Sequence, residues 1–378
     1  MPASRREFLD YSLRTALAAA IAAKADAAPP ATSGEWRNRQ SGIAYRRFGR
    51  TGFMISEMVM GGNTISPTNH DQVLWALDHG LNYLDTAPAY GNTASEKGYS
   101  HIIKARKRDS FFLNTKVSLW DINRSRLYRD IFQSLSQPEQ NKLKSKAKDE
   151  LERTRALHRD YYGHYFPAQV DEMEQSALAN VMEQKYGRAI DRGKNYRQLI
   201  IDSLDESLKR LGTDHVDILM CPHGASNGYE LKNYPEIFEA FESVRKSGKA
   251  RFLGVSAHND PAGVLEAAVD TGRYDAAMVA YNIVNHAFVD KALQRAHANQ
   301  LGVIAMKVAR PVFNGRNNGT IDPPERVSKI ENAVPGPLKI PQKAYAWALR
   351  SAYLTAVISE IVNLQIAREN LPLAAPKA

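Results

Sequence analysis

The chain has 378 residues, with 50 Lys and Arg against 41 Asp and Glu, a formal net charge of +9, 43% hydrophobic residues and one cysteine. The basic residues are scattered rather than interleaved with aromatics, so no nucleic-acid-binding module is expected, and the excess charge reads as solvated surface. The lone thiol, Cys221, excludes an intramolecular disulfide, a four-cysteine iron–sulfur cluster and a cysteine-based zinc site, and no metal site is expected.

The chain opens on Ser4-Arg-Arg-Glu-Phe-Leu9, followed by an Ala/Leu-rich stretch to Ala23 and then Ala25-Asp-Ala27. Twin arginines, a short hydrophobic region and a small-x-small site form the pattern of a twin-arginine export signal over residues 1–27. Ala16–Ala23 gives only eight unbroken apolar residues, against the roughly 20 that a membrane-spanning helix needs. The expectation is recognition by the twin-arginine export machinery, a periplasmic or other extracytoplasmic location, and no membrane span. A single cysteine suits an oxidising compartment because nothing within the chain can mispair. Residues 28–41, which include Pro29-Pro30 and a small polar run, read as a linker to a body over 42–378.

Eight short apolar runs follow: Met58–Met60, Tyr83–Leu84, Phe111–Leu113, Val216–Met220, Phe252–Val255, Ala276–Ala280, Val303–Met306 and Ala356–Ile358. Their length and composition are those of strands buried on both faces. Between most of them lies helix-period sequence, as in Asp71–Asp78, Leu199–Leu211, Tyr234–Lys246 and Pro261–Asp270. Such alternation predicts an α/β fold, a (β/α)8 TIM barrel. An open doubly wound sheet lacks support, because no Gly-x-Gly-x-x-Gly follows the first strand.

One connection is too long for a minimal barrel. Between Lys116 and the helix beginning near Asn195, a link that needs only a handful of residues becomes an insertion over about 121–194. Ser136–His158 reads as an exposed helix. Val170–Ile190 reads as an amphipathic one, with Met173, Ala177, Val181 and Met182 at three- and four-residue intervals. Joining them is His158-Arg-Asp-Tyr-Tyr-Gly-His-Tyr-Phe-Pro167, the densest aromatic cluster in the chain. A segment leaving the carboxyl end of the third strand emerges on the catalytic rim. It reads either as a lid whose rings stack on a sugar or as a hairpin whose rings pin it to the barrel or to a second copy.

The chemistry concentrates at Leu84-Asp-Thr-Ala-Pro-Ala-Tyr-Gly91, Asn114-Thr-Lys116 and Pro222-His223. An acid, a phenol, an amine and an imidazole each stand at or just past the end of a strand, and such positions converge on one rim of a barrel. A phenol normally ionises near pH 10; an adjacent ammonium favours its anion and brings it toward neutral-pH proton transfer. These segments resemble the aldo-keto reductases. The likeness extends through Tyr45-Arg-Arg-Phe-Gly-Arg-Thr-Gly52, Ser203–Asp217, Gly248–Ser256 and Tyr281-Asn282. The resemblance implies that Tyr90 is the general acid, Lys116 its modulator, Asp85 the lysine's partner and His223 the group orienting the substrate carbonyl. His223 falls six residues after Asp217 where the family usually has five, a surplus that a bulge could absorb.

The same resemblance implies a nicotinamide dinucleotide, NAD or NADP, and a small carbonyl or alcohol substrate, with a sugar as one candidate. Ser256, Asn282, Lys307, Glu369 and Asn370 are the positions expected to hold the cofactor. The family pattern is broken by Ala257, Ala280 and Met306, and by Glu360 and Val362 where a phosphate is usually gripped. A carboxylate at that place disfavours the 2′-phosphate of NADP, which favours NAD. Export would leave the protein without a pool of reduced nicotinamide, so a tightly retained dinucleotide is expected. Two other readings stay open: a non-redox enolisation, epimerisation or elimination on a carbohydrate using the same four side chains, and a non-catalytic binding protein on the reductase scaffold.

Overall fold

A computed structural model describes residues 34–117, 120–161, 165–166, 168–313 and 324–376. The export signal expected over 1–27 lies outside these residues, as do Tyr162, Gly163, His164 and Pro167 of the aromatic run.

Three short strands, β1 (Glu35–Trp36), β2 (Tyr45–Arg47) and β3 (Phe53–Ser56), form a small sheet in the order β1-β3-β2. The eight apolar runs then become β4 (Met58–Met60), β5 (Tyr83–Asp85), β6 (Phe112–Lys116), β7 (Val216–His223), β8 (Ala250–Ala257), β9 (Ala276–Ala280), β10 (Gly302–Met306) and β11 (Ala356–Ser359). All pair in parallel and close in the cyclic order β10-β11-β4-β5-β6-β7-β8-β9.

Strand side chains alternate between two faces, and in a closed barrel one face points inward. Val59, Tyr83, Phe112, Ile218, Met220, Met278, Ile304 and Met306 fill the interior. Their alternates Leu84, Leu113, Leu219, Leu253, Val279, Ala305 and Val357 pack outward against the helices. The small sheet plugs the end where the strands begin: Phe53 stacks on Phe112 at 4.3 Å. Gly49 holds a φ of +52°, and a Cβ there would lie 2.3 Å from the Gln300 carbonyl oxygen, so only glycine allows that turn to seat.

The helices, in chain order, are α1 (Asp71–Asp78), α2 (Ala94–Ala105), α3 (Trp120–Ser134), α4 (Gln137–Arg153), α5 (Gln169–Tyr186), α6 (Leu199–Leu211), α7 (Tyr229–Lys232), α8 (Pro235–Lys246), α9 (Pro261–Thr271), α10 (His286–Ala298), α11 (Pro324–Ala333), α12 (Ile340–Ala348) and α13 (Leu364–Asn370). The insertion thus contains three helices where the sequence suggested two, and α4 and α5 are shorter than their predicted spans. Leu143, Ala147 and Leu151 of α4 meet Met173, Ala177, Val181 and Met182 of α5 in a core separate from the barrel's, joined by Tyr128 of α3. A buried ion pair ties this bundle down: Arg124 of α3 lies 2.7 Å from Glu230 Oε1 of α7, which also accepts from Ser176 Oγ of α5 at 2.7 Å. No described helix is long and apolar enough to cross a membrane.

Candidate active site

The inward alternation continues to the carboxyl ends of the strands, and this selects what converges there. On β5, Asp85 follows Tyr83 inward; on β6, Lys116 follows Phe112 and Asn114. Both side chains are buried at the rim. The Lys116 ammonium donates to Asp85 Oδ1, to the Thr86 carbonyl at 3.0 Å and to the Tyr90 hydroxyl at 3.0 Å. All three of its donors are therefore directed. Asp85 also accepts from Asn114 Nδ2 at 2.8 Å and, through Oδ2, from Tyr90 at 3.3 Å. Gly62 backs this cluster so closely that a Cβ would fall 2.0 Å from the Asp85 carbonyl oxygen.

Tyr90 is brought in by a tight turn in which its N–H bonds the Ala87 carbonyl at 3.1 Å. His223 arrives differently. The register of β7 against β8 slips between Met220 and His223, with a cis Cys221–Pro222 peptide inside the slip, so the surplus residue is absorbed as an irregularity of the strand. The His223 ring then stands edge-on to Tyr90, centroids 6.0 Å apart at 85°.

The electrostatics differ from the expectation in one respect. Burial, then the Asp85 carboxylate beside it, holds the Tyr90 phenol well above its usual value, with a further push from Glu360. The pull of Lys116 does not prevail, because the same ammonium is engaged by Asp85 and is itself pushed down by burial. Tyr90 therefore stays protonated, as a proton donor must. Burial and the charges of Lys116 and Lys307 push His223 down to about 3, leaving a neutral imidazole able to donate one hydrogen bond to a carbonyl oxygen.

The positions expected to hold a dinucleotide are arranged less uniformly. Ser256 faces inward opposite His223 and is buried. Met306 closes β10 with a thioether facing the interior, and Lys307 leaves the strand with a left-handed φ of +57°. Asn282 is occupied within the protein: its Nδ2 donates to the Tyr165 hydroxyl at 3.0 Å, and its Oδ1 accepts from the N–H groups of Val284 and Asn285. Glu369 pairs with Lys339 at 2.7 Å, and Asn370 donates to Ser359 Oγ at 3.1 Å. Glu360 falls on the inward alternation of β11 after Ile358, and its carboxylate accepts from Asn63 Nδ2 at 2.9 Å. Its charge reaches Tyr90. Among the described residues, no group of His, Cys, Asp and Glu is placed to hold a metal ion.

Two features of the rim went unrecognised in the sequence. His258, two residues beyond Ser256, is one; simple strand alternation pointed to it. The other is how the aromatic segment is used. Tyr161 donates to Asp260 Oδ1 at 2.7 Å and stacks on Phe288, Gln169 Nε2 donates to Asn259 at 2.8 Å, and Arg310 Nε donates to the Tyr165 carbonyl at 3.4 Å. Tyr161 and Tyr165 are buried, so these two rings pin the segment across the ends of β8, β9 and β10. Phe166 keeps partial exposure while meeting His258 edge-on at 5.7 Å.

The sequence profile of the Aldo/keto reductase family matches residues 57–185 and 186–375. The chain is similar to Aldo-keto reductase YhdN of Bacillus subtilis, 28% identical over 166 residues, which cover 44% of this chain and 47% of that one. It is also similar to a D-threo-aldose 1-dehydrogenase of a Pseudomonas species, 25% identical over 254 residues, 65% of this chain and 62% of that one. The match therefore spans about half to about three fifths of those relatives. The fold is similar to that of an aldo-keto reductase of Bacillus halodurans, with a TM-score of 0.58 at 17% identity over 89% of this chain and 93% of the other.

Proposed function

The chain belongs to the aldo/keto reductase family, and we propose that it interconverts a carbonyl and an alcohol on a sugar or related small molecule with a nicotinamide dinucleotide. The observation that carries this reading is the single ammonium of Lys116, which touches both the Asp85 carboxylate and the Tyr90 hydroxyl, with His223 edge-on to the phenol. Tyr90 delivers its proton to the carbonyl oxygen as negative charge develops there. Lys116, 3.0 Å from the phenol oxygen, stabilises the phenolate left behind. Asp85 fixes the lysine, and neutral His223 donates to the same carbonyl oxygen and sets its orientation. In the oxidative direction the proton moves back from the alcohol to Tyr90.

The dinucleotide, when bound, supplies or takes the hydride. The residues present suit it in part: an inward hydroxyl at Ser256 and a soft apolar surface at Met306 fit a nicotinamide, and Lys307 and Arg310 offer cations for its phosphates. Asn282, Glu369 and Asn370 are engaged elsewhere, which favours a mode of holding that depends on the strands β8 and β10. The absence of a cation at Val362, which is exposed, supports NAD over NADP. The similarity to a D-threo-aldose 1-dehydrogenase supports a sugar-like substrate. The twin-arginine pattern at the amino terminus supports export to the periplasm with the cofactor already loaded.

Protein purified in folded form should release a dinucleotide on heat or acid denaturation, identifiable as NAD by mass spectrometry of the supernatant. Protein that is empty, and that fails to bind NAD, NADH, NADP or NADPH at millimolar concentration, overturns the redox reading.

A further inference from the structure

Two imidazoles reach the catalytic rim on neighbouring strands, and the proton-transfer set uses only one. His223 ends β7; its register partner on β8 is Ser256, and His258 follows two residues on. The alternation from Phe252 to Ser256 faces the barrel interior, and His258 lies in the bend just after Ala257 closes β8, within electrostatic reach of His223 and Lys116. Continued past Ala257, strand geometry of about 4.8 Å between strands and about 3.3 Å per residue would set the two histidines roughly 8 Å apart at their Cα atoms. That gap lets both rings reach oxygens on adjacent carbons of one small molecule. The ring of His258 is framed by the pinned segment: Phe166 meets it edge-on at 5.7 Å and Tyr165 lies at 6.5 Å.

Burial and the nearby groups Lys307, His223 and Lys116 hold His258 well below the usual histidine value. A neutral imidazole presents one donor and one acceptor. A carbonyl oxygen can use only the donor, whereas a hydroxyl can meet either nitrogen, accepting from the N–H or donating to the bare nitrogen. With the carbonyl oxygen already taken by Tyr90 and His223, an isolated aldehyde or ketone would offer the His258 ring no partner, which is how a polar pocket rejects a ligand lacking a hydroxyl.

We propose that His258 is a specificity-determining residue that hydrogen-bonds a hydroxyl next to the reacting carbonyl, so that the site selects hydroxylated carbonyl compounds over plain ones. The inference rests on the carbonyl–alcohol reading above, and its test separates the two. Glyceraldehyde and propanal share a three-carbon chain and differ in their hydroxyls. His258→Leu removes both hydrogen-bonding functions while keeping apolar bulk against Phe166; His258→Gln keeps a donor and an acceptor. In the full chain, His258→Leu should lower kcat/KM for glyceraldehyde about tenfold, the weight of one such bond, change propanal less than about twofold, and be largely rescued in His258→Gln. Equal losses on both substrates, or none on either, overturn the proposal and leave the redox reading intact. Should leucine not fold at this position, His258→Phe serves the same purpose.

A second measurement does not depend on turnover. The dissociation constant of xylitol, followed by NMR titration, should weaken about tenfold in His258→Leu and recover in His258→Gln. Xylitol affinity that falls in His258→Leu and returns in His258→Gln supports the hydroxyl contact whatever the turnover of the two aldehydes, while the redox reading stands or falls separately on dinucleotide binding. Xylitol binding that is absent, or unchanged by the substitution, overturns the inference.

Discussion

Replacing Lys116 by methionine tests the arrangement on which the chemistry depends, and the structure sets the size of the effect. The ammonium is buried and is the charge partner of Asp85, itself 1% exposed. Without it the carboxylate keeps only Asn114 Nδ2 at 2.8 Å and the Tyr90 hydroxyl at 3.3 Å. Breaking a buried pair by removing one partner costs about 3–5 kcal/mol, because the remaining charge is uncompensated. At about 2 °C per kcal/mol for a domain of this size, the melting temperature should fall by roughly 6–10 °C. Turnover should fall by about two orders of magnitude or more, since the phenolate left by proton transfer loses its nearest cation. The decisive variant is the double substitution Lys116→Met with Asp85→Asn. It removes the stranded charge, so thermal stability should return most of the way while activity stays lost. Calorimetry and initial rates on the three proteins read both quantities. A single variant that melts with the wild type, or a double variant as unstable as the single, refutes the account of a buried, mutually compensating pair.

Tyr90→Phe should lose turnover by about 10²-fold or more while melting within about 1 kcal/mol of the wild type, since the bonds removed are a long contact to Asp85 and one donor of Lys116; a variant keeping more than a tenth of the wild-type rate would remove Tyr90 from the mechanism. Asp260, buried beneath Tyr161, is raised by burial from 3.8 to about 6, so the folded state binds its proton more tightly than the unfolded chain. Near pH 4 and below it adds little difference between the states; as pH rises through about 6 its ionised form destabilises the fold, by up to about 3 kcal/mol. Asp260→Asn keeps an acceptor for Tyr161 and Gly263, so its stability advantage over the wild type should grow from pH 4 to pH 7 in urea titrations. An advantage that is flat or shrinks over that range contradicts the sign of the shift.

What was legible in the sequence follows from how locally each feature is specified. The eight strands were readable because each is an apolar run bounded by turns, and burial on both faces needs nothing more from the chain. Helix α3 was missed although Leu127, Tyr128, Ile131 and Phe132 carry a helical spacing, because the stretch is otherwise polar and α5, against which it packs, begins only at Gln169. The slip in β7 was foreseeable from a residue count against Asp217, and the register shows where it is taken up.

The proposed catalytic set and its surroundings differ in the same way. Asp85, Tyr90, Lys116 and His223 announce themselves through short segments at strand ends, and closure of the barrel then brings them together. The charge balance among them was not readable. Whether Lys116 lowers the tyrosine's pKa depends on how fully Asp85 claims the same ammonium and how dry the site is, and both are properties of the closed barrel. Asn282 makes the point from the other side. Its residue type suits a ligand, yet its amide bonds Tyr165, more than a hundred positions earlier, and so fastens the inserted segment to the rim. Together with the bonds from Arg310 to the Tyr165 carbonyl and from Tyr161 to Asp260, it keeps Tyr165 and Phe166 beside His258, so the insertion acts on the site through what it holds in place. A substitution at Asn282 should therefore be read first as loosening the wall around His258, and only afterwards as weakening a cofactor contact.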